Sequence, residues 1–161
     1  MKRQIKLYIL LAMFGLVVAS PASADGWFFG AKTGTVIIND SFVSSDPTNI
    51  GFLAGYEVGI GVGDIAVEGE ITRTTSKGEL DNGSQIEADT EALYLAFRSA
   101  GPVYLKAKGG FMQIDDGFTN DSASSYGIGI GFGAGIMQLE LELTKTTTDP
   151  DILFVSAGIQ F

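Results

Sequence analysis

The chain reads as all-β, a closed eight-stranded antiparallel up-and-down transmembrane β-barrel, on three observations. Its mean hydropathy is +0.25 although it carries nineteen acidic side chains, and no apolar run of helix length follows residue 24. In a bilayer every backbone N–H and C=O must be satisfied internally, so such a chain enters lipid only as a closed barrel. Eight segments alternate apolar and polar residues with period two, the signature of strands with two different faces. All four prolines, Pro21, Pro47, Pro102 and Pro150, fall outside those segments, as ladder hydrogen bonding requires.

The first 24 residues read as a cleaved secretory signal peptide, leaving residues 25–161 as one domain. Lys2, Arg3 and Lys6 precede an apolar run from Leu7 to Val18, and Ala22-Ser23-Ala24 is a small-x-small cleavage site. The run is about 12 residues, short of the roughly 17–25 of a spanning helix. Cleavage leaves seven basic residues against nineteen acidic ones, a net charge of −12. That charge excludes nucleic acid as a partner, which selects basic surfaces, and a polybasic contact with anionic lipid. The chain contains neither Cys nor His, which excludes disulfides and thiolate metal sites and removes the commonest general base.

The first strand starts at Gly26, with Trp27, Phe29, Ala31 and Thr33 on one face and Phe28, Gly30, Lys32 and Gly34 on the other. A polar connector over 39–49 leads to the second strand, 50–59, where Phe52, Ala54, Tyr56 and Val58 oppose Gly51, Gly55 and Glu57. After a tight turn at 61–64, the third strand (65–75) sets Ile65, Val67, Gly69 and Ile71 against Ala66, Glu68, Glu70 and Thr72. A second polar connector, 76–87, precedes the fourth strand (88–99), where Leu93, Leu95 and Phe97 oppose Ala92, Tyr94, Ala96 and Arg98.

The fifth strand (103–114) follows the Gly101-Pro102 turn and sets Val103, Leu105, Ala107 and Phe111 against Tyr104, Lys106, Lys108 and Gly110. The sixth, from Ser125, places Tyr126, Ile128, Ile130, Phe132 and Ala134 opposite four alternate glycines, Gly127 to Gly133. In the seventh, Met137, Leu139, Leu141 and Leu143 oppose Gln138, Glu140, Glu142 and Thr144. The last, 151–161, sets Leu153, Val155, Ala157, Ile159 and Phe161 against Phe154, Ser156, Gly158 and Gln160. Strand lengths of about 9–11 residues suit a tilted bilayer crossing.

The glycine row suits a crowded lumen, and aromatics near both strand ends suit two interfacial girdles: Trp27, Phe29, Phe97, Phe132 and Phe161 at the turn end, and Phe52, Phe111 and Tyr126 at the loop end. The polar face is therefore the interior. It holds Lys32, Arg98, Lys106 and Lys108 against Glu57, Glu68, Glu70, Glu140 and Glu142. Unpaired buried charges are costly, so these nine side chains are expected to pair across the lumen. Closure requires the last strand to pair with the first, since open edges in lipid would go unsatisfied.

With an export signal, eight strands, long outer loops and a terminal GIQF in place, the chain resembles the small outer-membrane barrels grouped with the OmpA transmembrane domain, OmpX and the neisserial opacity proteins. The resemblance implies location in the outer membrane of a Gram-negative-type bacterium and contact with outer-membrane lipid and lipopolysaccharide. It also implies that the barrel-assembly machinery reads the final strand, with Phe161 and Ile159 as the assembly signal. A structural or adhesin-like surface role follows, without a cofactor. Enzymatic barrels of this membrane, whether deacylases, palmitoyltransferases or proteases, use a His that this chain lacks, so it is expected not to be an enzyme.

Two other functions share parts of this pattern. A narrow porin-like channel differs only in its lumen, and an eight-stranded interior is one that side chains fill. A soluble periplasmic lipocalin-like barrel would wear the same alternation inside out. Carboxylates in the outer connectors (Asp40, Asp46, Glu79, Asp81, Glu87, Asp115, Asp116, Asp121, Asp149 and Asp151) offer hard oxygen ligands for a divalent cation. They lack the spacing of an EF-hand loop and read as solvated acidic loops.

Overall fold

Side chains that alternate in polarity along a strand commit one face of it to the lumen, and the eight segments close on that basis. The computed structural model describes residues 25–38, 42–115, 117, 120–148 and 152–161. The signal-peptide segment, Pro21, Pro150 and the loop carboxylates Asp40, Asp116, Asp149 and Asp151 lie outside the described residues. The elements are β1 (Gly26–Ile38), β2 (Val43–Ser45), β3 (Thr48–Gly59), β4 (Gly63–Ser76), β5 (Gly78–Leu80), β6 (Gln85–Ile86), β7 (Asp89–Ser99), β8 (Val103–Asp115), β9 (Asn120–Ala134), β10 (Met137–Thr146) and β11 (Ile152–Gln160).

Eight of these form a closed antiparallel barrel in the order β1-β11-β10-β9-β8-β7-β4-β3 and back to β1. The closing seam pairs Ala31 with Ile159 and Thr33 with Ala157. It ends in reciprocal backbone bonds, Phe29 N–H to Phe161 O at 3.0 Å and Phe161 N–H to Phe29 O at 2.8 Å. Each of the three short turns contains one glycine in the left-handed region, Gly61 (φ 85°), Gly101 (φ 121°) and Gly135 (φ 64°), a conformation that a Cβ would strain.

The lipid-facing and lumen-facing sets follow the parity read from the sequence. Trp27, Phe52, Leu105, Ile128, Leu141 and Phe161 point outward and are exposed, whereas Glu68, Arg98, Lys106, Lys108 and Glu142 are buried inside. On β8 the apolar outer face runs from Val103 to Phe111, eight residue steps. That is about 26 Å at roughly 3.3 Å per residue, or about 20 Å of height at a strand tilt of about 40°. An exposed apolar belt of that height around a charged interior is the reverse of a water-soluble barrel. It excludes the lipocalin-like alternative, whose apolar side chains would line the interior.

Above the belt the pattern inverts. Arg73, Thr75, Glu91, Gln113, Ser122 and Ser124 now face outward, while Val36, Ile38, Met112, Ile114 and Phe154 face inward and form an apolar cluster with Ala88 and Tyr94. Where water replaces lipid outside the wall, apolar residues turn to the axis, as in any soluble domain. Two segments read from the sequence as polar connectors contribute to this end. Segments β2, β5 and β6 pair as a three-stranded sheet, and Val43 and Ile86 from it pack on the apolar cluster. Strand β9 begins at Asn120, five residues before the Ser125 read from the sequence, because its outer extension is polar on the outward face.

Candidate functional site

All nine charged residues assigned to the interior lie in one connected lattice. Barrel order makes β4 and β10 diametrically opposite, and likewise β1 and β8. The acids Glu68, Glu70, Glu140 and Glu142 stand on the first pair, and Lys32, Lys106 and Lys108 on the second. Each acidic wall therefore faces bases on both flanks.

Toward the turn end, Arg98 reaches Glu68 at 2.6 Å, Glu140 at 3.0 Å and Glu57 at 3.4 Å. In the middle, Lys106 bridges Glu68 and Glu140, both at 2.9 Å, and Glu142 at 3.1 Å. Nearer the loops, Lys108 holds Glu70 and Glu142, each at 2.6 Å. Lys32 meets the same two carboxylates at 2.6 and 3.3 Å. Every cation thus contacts at least two carboxylates, which offsets the several kcal/mol of desolvation that each buried ion carries.

Neutral partners complete the lattice, and the sequence reading did not assign them to the site. Gln160 donates to Gln138 and Glu140 at 2.8 Å each, and accepts from Arg98 at 3.2 Å. The Tyr104 hydroxyl donates to Glu140 at 2.9 Å. Tyr94 lies under the Lys108 ammonium, 4.1 Å from ring centre to Nζ, and shares a hydrogen bond with Ser125. Among the described residues no buried side-chain N or O lacks a hydrogen-bond partner. The signal that would have found these groups is parity: Tyr94, Tyr104 and Gln138 sit two or four residues from an interior charge on the same strand face, and Gln160 shares the inward face of β11 with Ser156.

Closely spaced carboxylates raise the question of a metal. Glu68, Glu70 and Glu142 bring oxygens within 4.8 Å of one another. The ammonium groups of Lys32, Lys106 and Lys108 contact these three residues directly, so the lysines already supply the counter-charge that a cation would bring. At the rim, Asp46 accepts from the Ile38 N–H, Asp115 from the Gly117 N–H, and Glu87 pairs with Lys77.

The lattice fills the lumen. Between it and the apolar cluster remains a void of about 20 Å³, room for about one water. On the other side the lumen opens into a vestibule of about 310 Å³ lined by Glu57, Arg98, Tyr104, Gln138 and Gln160. The glycines of β9 make this filling possible. A Cβ on Gly131 would lie 2.1 Å from Tyr104 Cζ and 2.5 Å from its hydroxyl oxygen, whereas one on the outward Gly109 would meet nothing within 4 Å. Gly131→Ala is therefore expected to displace Tyr104 and lower stability by about 1–3 kcal/mol, and Gly109→Ala to stay within about 0.5 kcal/mol of wild type. Urea unfolding of the refolded proteins in lipid vesicles measures both.

An apolar exterior, a charged and closed interior and no open sheet edge in the barrel wall define a membrane-spanning β-barrel of the smallest common size. Solved structures of that size share its fold. The chain superposes on neisserial surface protein A (NspA) with a TM-score of 0.53 at 13% identity, covering 84% of this chain and 96% of that one. For the N-terminal β-barrel domain of Pseudomonas aeruginosa OprF the TM-score is 0.57 at 8% identity, covering 86% and 98%. For the Yersinia pestis outer membrane protein Ail in a phospholipid bilayer nanodisc it is 0.52 at 15% identity, covering 84% and 99%. No protein-family model matches the sequence, and neither does any curated protein.

Proposed function

We propose that the protein is an integral outer-membrane barrel that does not conduct, with a lumen serving as a rigid internal brace and a loop end serving as a surface for interaction with the cell's exterior. The observation that carries this reading is the doubly closed lumen: a lattice in which every cation holds at least two carboxylates, beneath an apolar cluster covered by β2, β5 and β6. An ion crossing it would have to part several buried ion pairs and then enter an apolar layer, both unfavourable steps. Export through a cleaved signal peptide, contact with lipopolysaccharide and the absence of enzymatic chemistry belong to the same reading, the last supported by the lack of any His. Purified protein refolded into planar bilayers is expected to give no steady single-channel current; reproducible conductance steps would replace the brace by a pore.

The assembly signal falls in the same proposal. Phe161 lies outward at the end of the closing seam, 57% exposed, and Ile159 lies on the same face. Such a strand end can be read by strand addition before the barrel closes. Deleting Phe161 removes one aromatic from the belt and two seam hydrogen bonds, yet it is expected to reduce insertion in cells far more than it lowers the unfolding free energy of refolded barrel. Comparison of membrane-fraction yield with urea unfolding separates the two, and equal losses would remove the targeting role.

A further inference from the structure

We propose that the crest of the β4–β7 hairpin, residues 73–89, is a hinged lid over the apolar cluster at the loop end, and that Asn49 is the latch that holds it shut. The charged lattice beneath stays closed whichever way the lid stands, so the latch governs exposure of the apolar cluster and leaves conduction unchanged.

The hinge is built into the pairing. The wall ladder between β4 and β7 ends at Thr72 and Thr90, and pairing resumes between β5 and β6 at Gly78 and Ile86. Five residues, 73–77, therefore stand on one strand against three, 87–89, on the other. Unmatched residues bend a hairpin, as in any bulge. Here the bend carries β5 and β6 inward, where Ile86 packs on the axial apolar cluster, instead of continuing the wall upward. The seat is close-fitting: β5 passes beside β2 at Gly78, where a Cβ would lie 2.5 Å from the Ser45 carbonyl oxygen and 2.8 Å from Pro47 Cδ.

Side chains replace the ladder at the bend. Ala88 is 1% exposed and belongs to the apolar cluster. Its N–H donates to the Thr74 hydroxyl at 2.8 Å, and its carbonyl accepts from Asn49 Nδ2 at 2.6 Å. The Thr74 hydroxyl closes the ring by donating to Asn49 Oδ1 at 3.4 Å. Asn49 Nδ2 also donates to Thr72 Oγ1 at 3.1 Å, and the Asp89 carboxylate accepts from the Thr74 N–H at 2.7 Å. The apolar hold on the lid is slight, since Val43 and Ile86 are only partly buried against the cluster. Removing the Asn49 amide takes the donor from a carbonyl that water does not reach, which is unfavourable in the closed position. Lifting the lid lets water satisfy that carbonyl, so the loss is relieved by local opening while the barrel wall stays folded.

Thiol labelling tests this in a chain that contains no Cys of its own. Ile114→Cys on β8 and Val36→Cys on β1 place single probes in the buried cluster on opposite walls. Each is combined with Asn49→Ala and with Asn49→Asp, which keeps the size and turns an acceptor toward the Ala88 carbonyl. Thr74→Val, which breaks the other half of the ring, stands in should neither Asn49 variant fold. The control is Thr75→Val, which removes an exposed hydroxyl bond to the Thr48 carbonyl beside the bend and leaves the latch intact. The proteins are refolded into phosphatidylcholine vesicles, folding is verified by heat-modifiable gel migration, and reaction with a charged, water-soluble maleimide is timed. The latch variants are expected to react at least about tenfold faster than the same probe with Asn49 intact, the scale of one buried hydrogen bond. Thr75→Val is expected to stay within about twofold. Folded latch variants no faster than Thr75→Val would overturn the latch. Reaction with Asn49 intact as fast as that of Gln85→Cys, exposed on β6, would overturn the closed lid. Urea unfolding in the same vesicles separates opening from general loosening: acceleration fully accounted for by the fall in unfolding free energy would overturn the hinge.

Discussion

Arg98→Met is expected to lower the stability of the folded barrel by about 3–5 kcal/mol, the range for removing one partner from a buried charge cluster. The guanidinium is 2% exposed and reaches Glu57, Glu68 and Glu140 as well as the Gln160 side chain. Methionine fills a similar length of lumen, so the loss is electrostatic more than steric. Lys106 still touches Glu68 and Glu140 and carries part of the load, but Glu57 loses its one ion-pair partner in the lattice. Adding Glu68→Met to Arg98→Met is expected to recover part of the loss, because a buried ion removed together with its partner leaves less uncompensated charge. Equilibrium urea unfolding in vesicles measures the cycle. A single-variant loss under about 1 kcal/mol, the scale of a solvated surface pair, would mean that water reaches the lattice and that the interior is not a closed brace.

The barrel and most of the charged lattice were legible in the sequence for one physical reason. Within the lipid belt the two faces of a strand meet the most different environments a protein offers, so the alternation of Leu139, Leu141 and Leu143 with Glu140 and Glu142 marks two faces, and the glycine row of β9 with the aromatic girdles decides which of them is the lumen. Placement of the two acidic strands opposite each other, and of the two lysine-bearing strands likewise, then follows from strand order. What escaped the reading lies where that contrast weakens or reverses. The outer extension of β9 has Ser122 and Ser124 outward, so its pattern ran out of phase with the belt and looked like loop. The cap strands β2, β5 and β6 are two or three residues long, too short to show a period, and β2 pairs with β5 from a connector distant in sequence while β5 and β6 pair within one connector. Gln138, Gln160 and Tyr104 carry no charge, so parity places them on the lumen face without marking them as partners in the lattice.

The same contrast explains why the lumen is built from ions instead of apolar packing. Neighbouring side chains along a belt strand must differ in polarity for register to be fixed, since a slip of one residue would carry every lumen group to the lipid face. An apolar lumen would remove that difference and leave the register without a preference. The charged lattice supplies it: a slipped β10 would place Glu140 and Glu142 in hydrocarbon and leave Lys106 and Lys108 with fewer partners. The net contribution of the ion pairs to stability is modest against this penalty for the wrong arrangement. Within the belt the apolar side chains at the axis form a small cluster of Phe28, Leu53, Ala66 and Ala96, with Phe28 against Arg98; above it, where water lies outside the wall, the larger apolar cluster takes the axis.

That penalty predicts a sharp dependence on depth for charges placed outside. Ile130 lies at the middle of the apolar face of β9, between Leu105 on β8 and Leu141 on β10, and Ile130→Arg is expected to cost about 2–4 kcal/mol, the range for a cation at the bilayer midplane. Ser124→Arg, six residues along the same face and above the belt, is expected to stay within about 0.5 kcal/mol of wild type. The two positions share strand, side and substitution, so propensity and added charge cancel in the comparison and depth alone remains. Vesicle-based urea unfolding of the pair reads it out. In water Ile130→Arg would be as mild as Ser124→Arg, because guanidinium on an exposed strand face is well solvated. Equal, small effects would therefore place the belt in water and remove the membrane assignment, whereas a difference of at least about 2 kcal/mol requires hydrocarbon around Ile130.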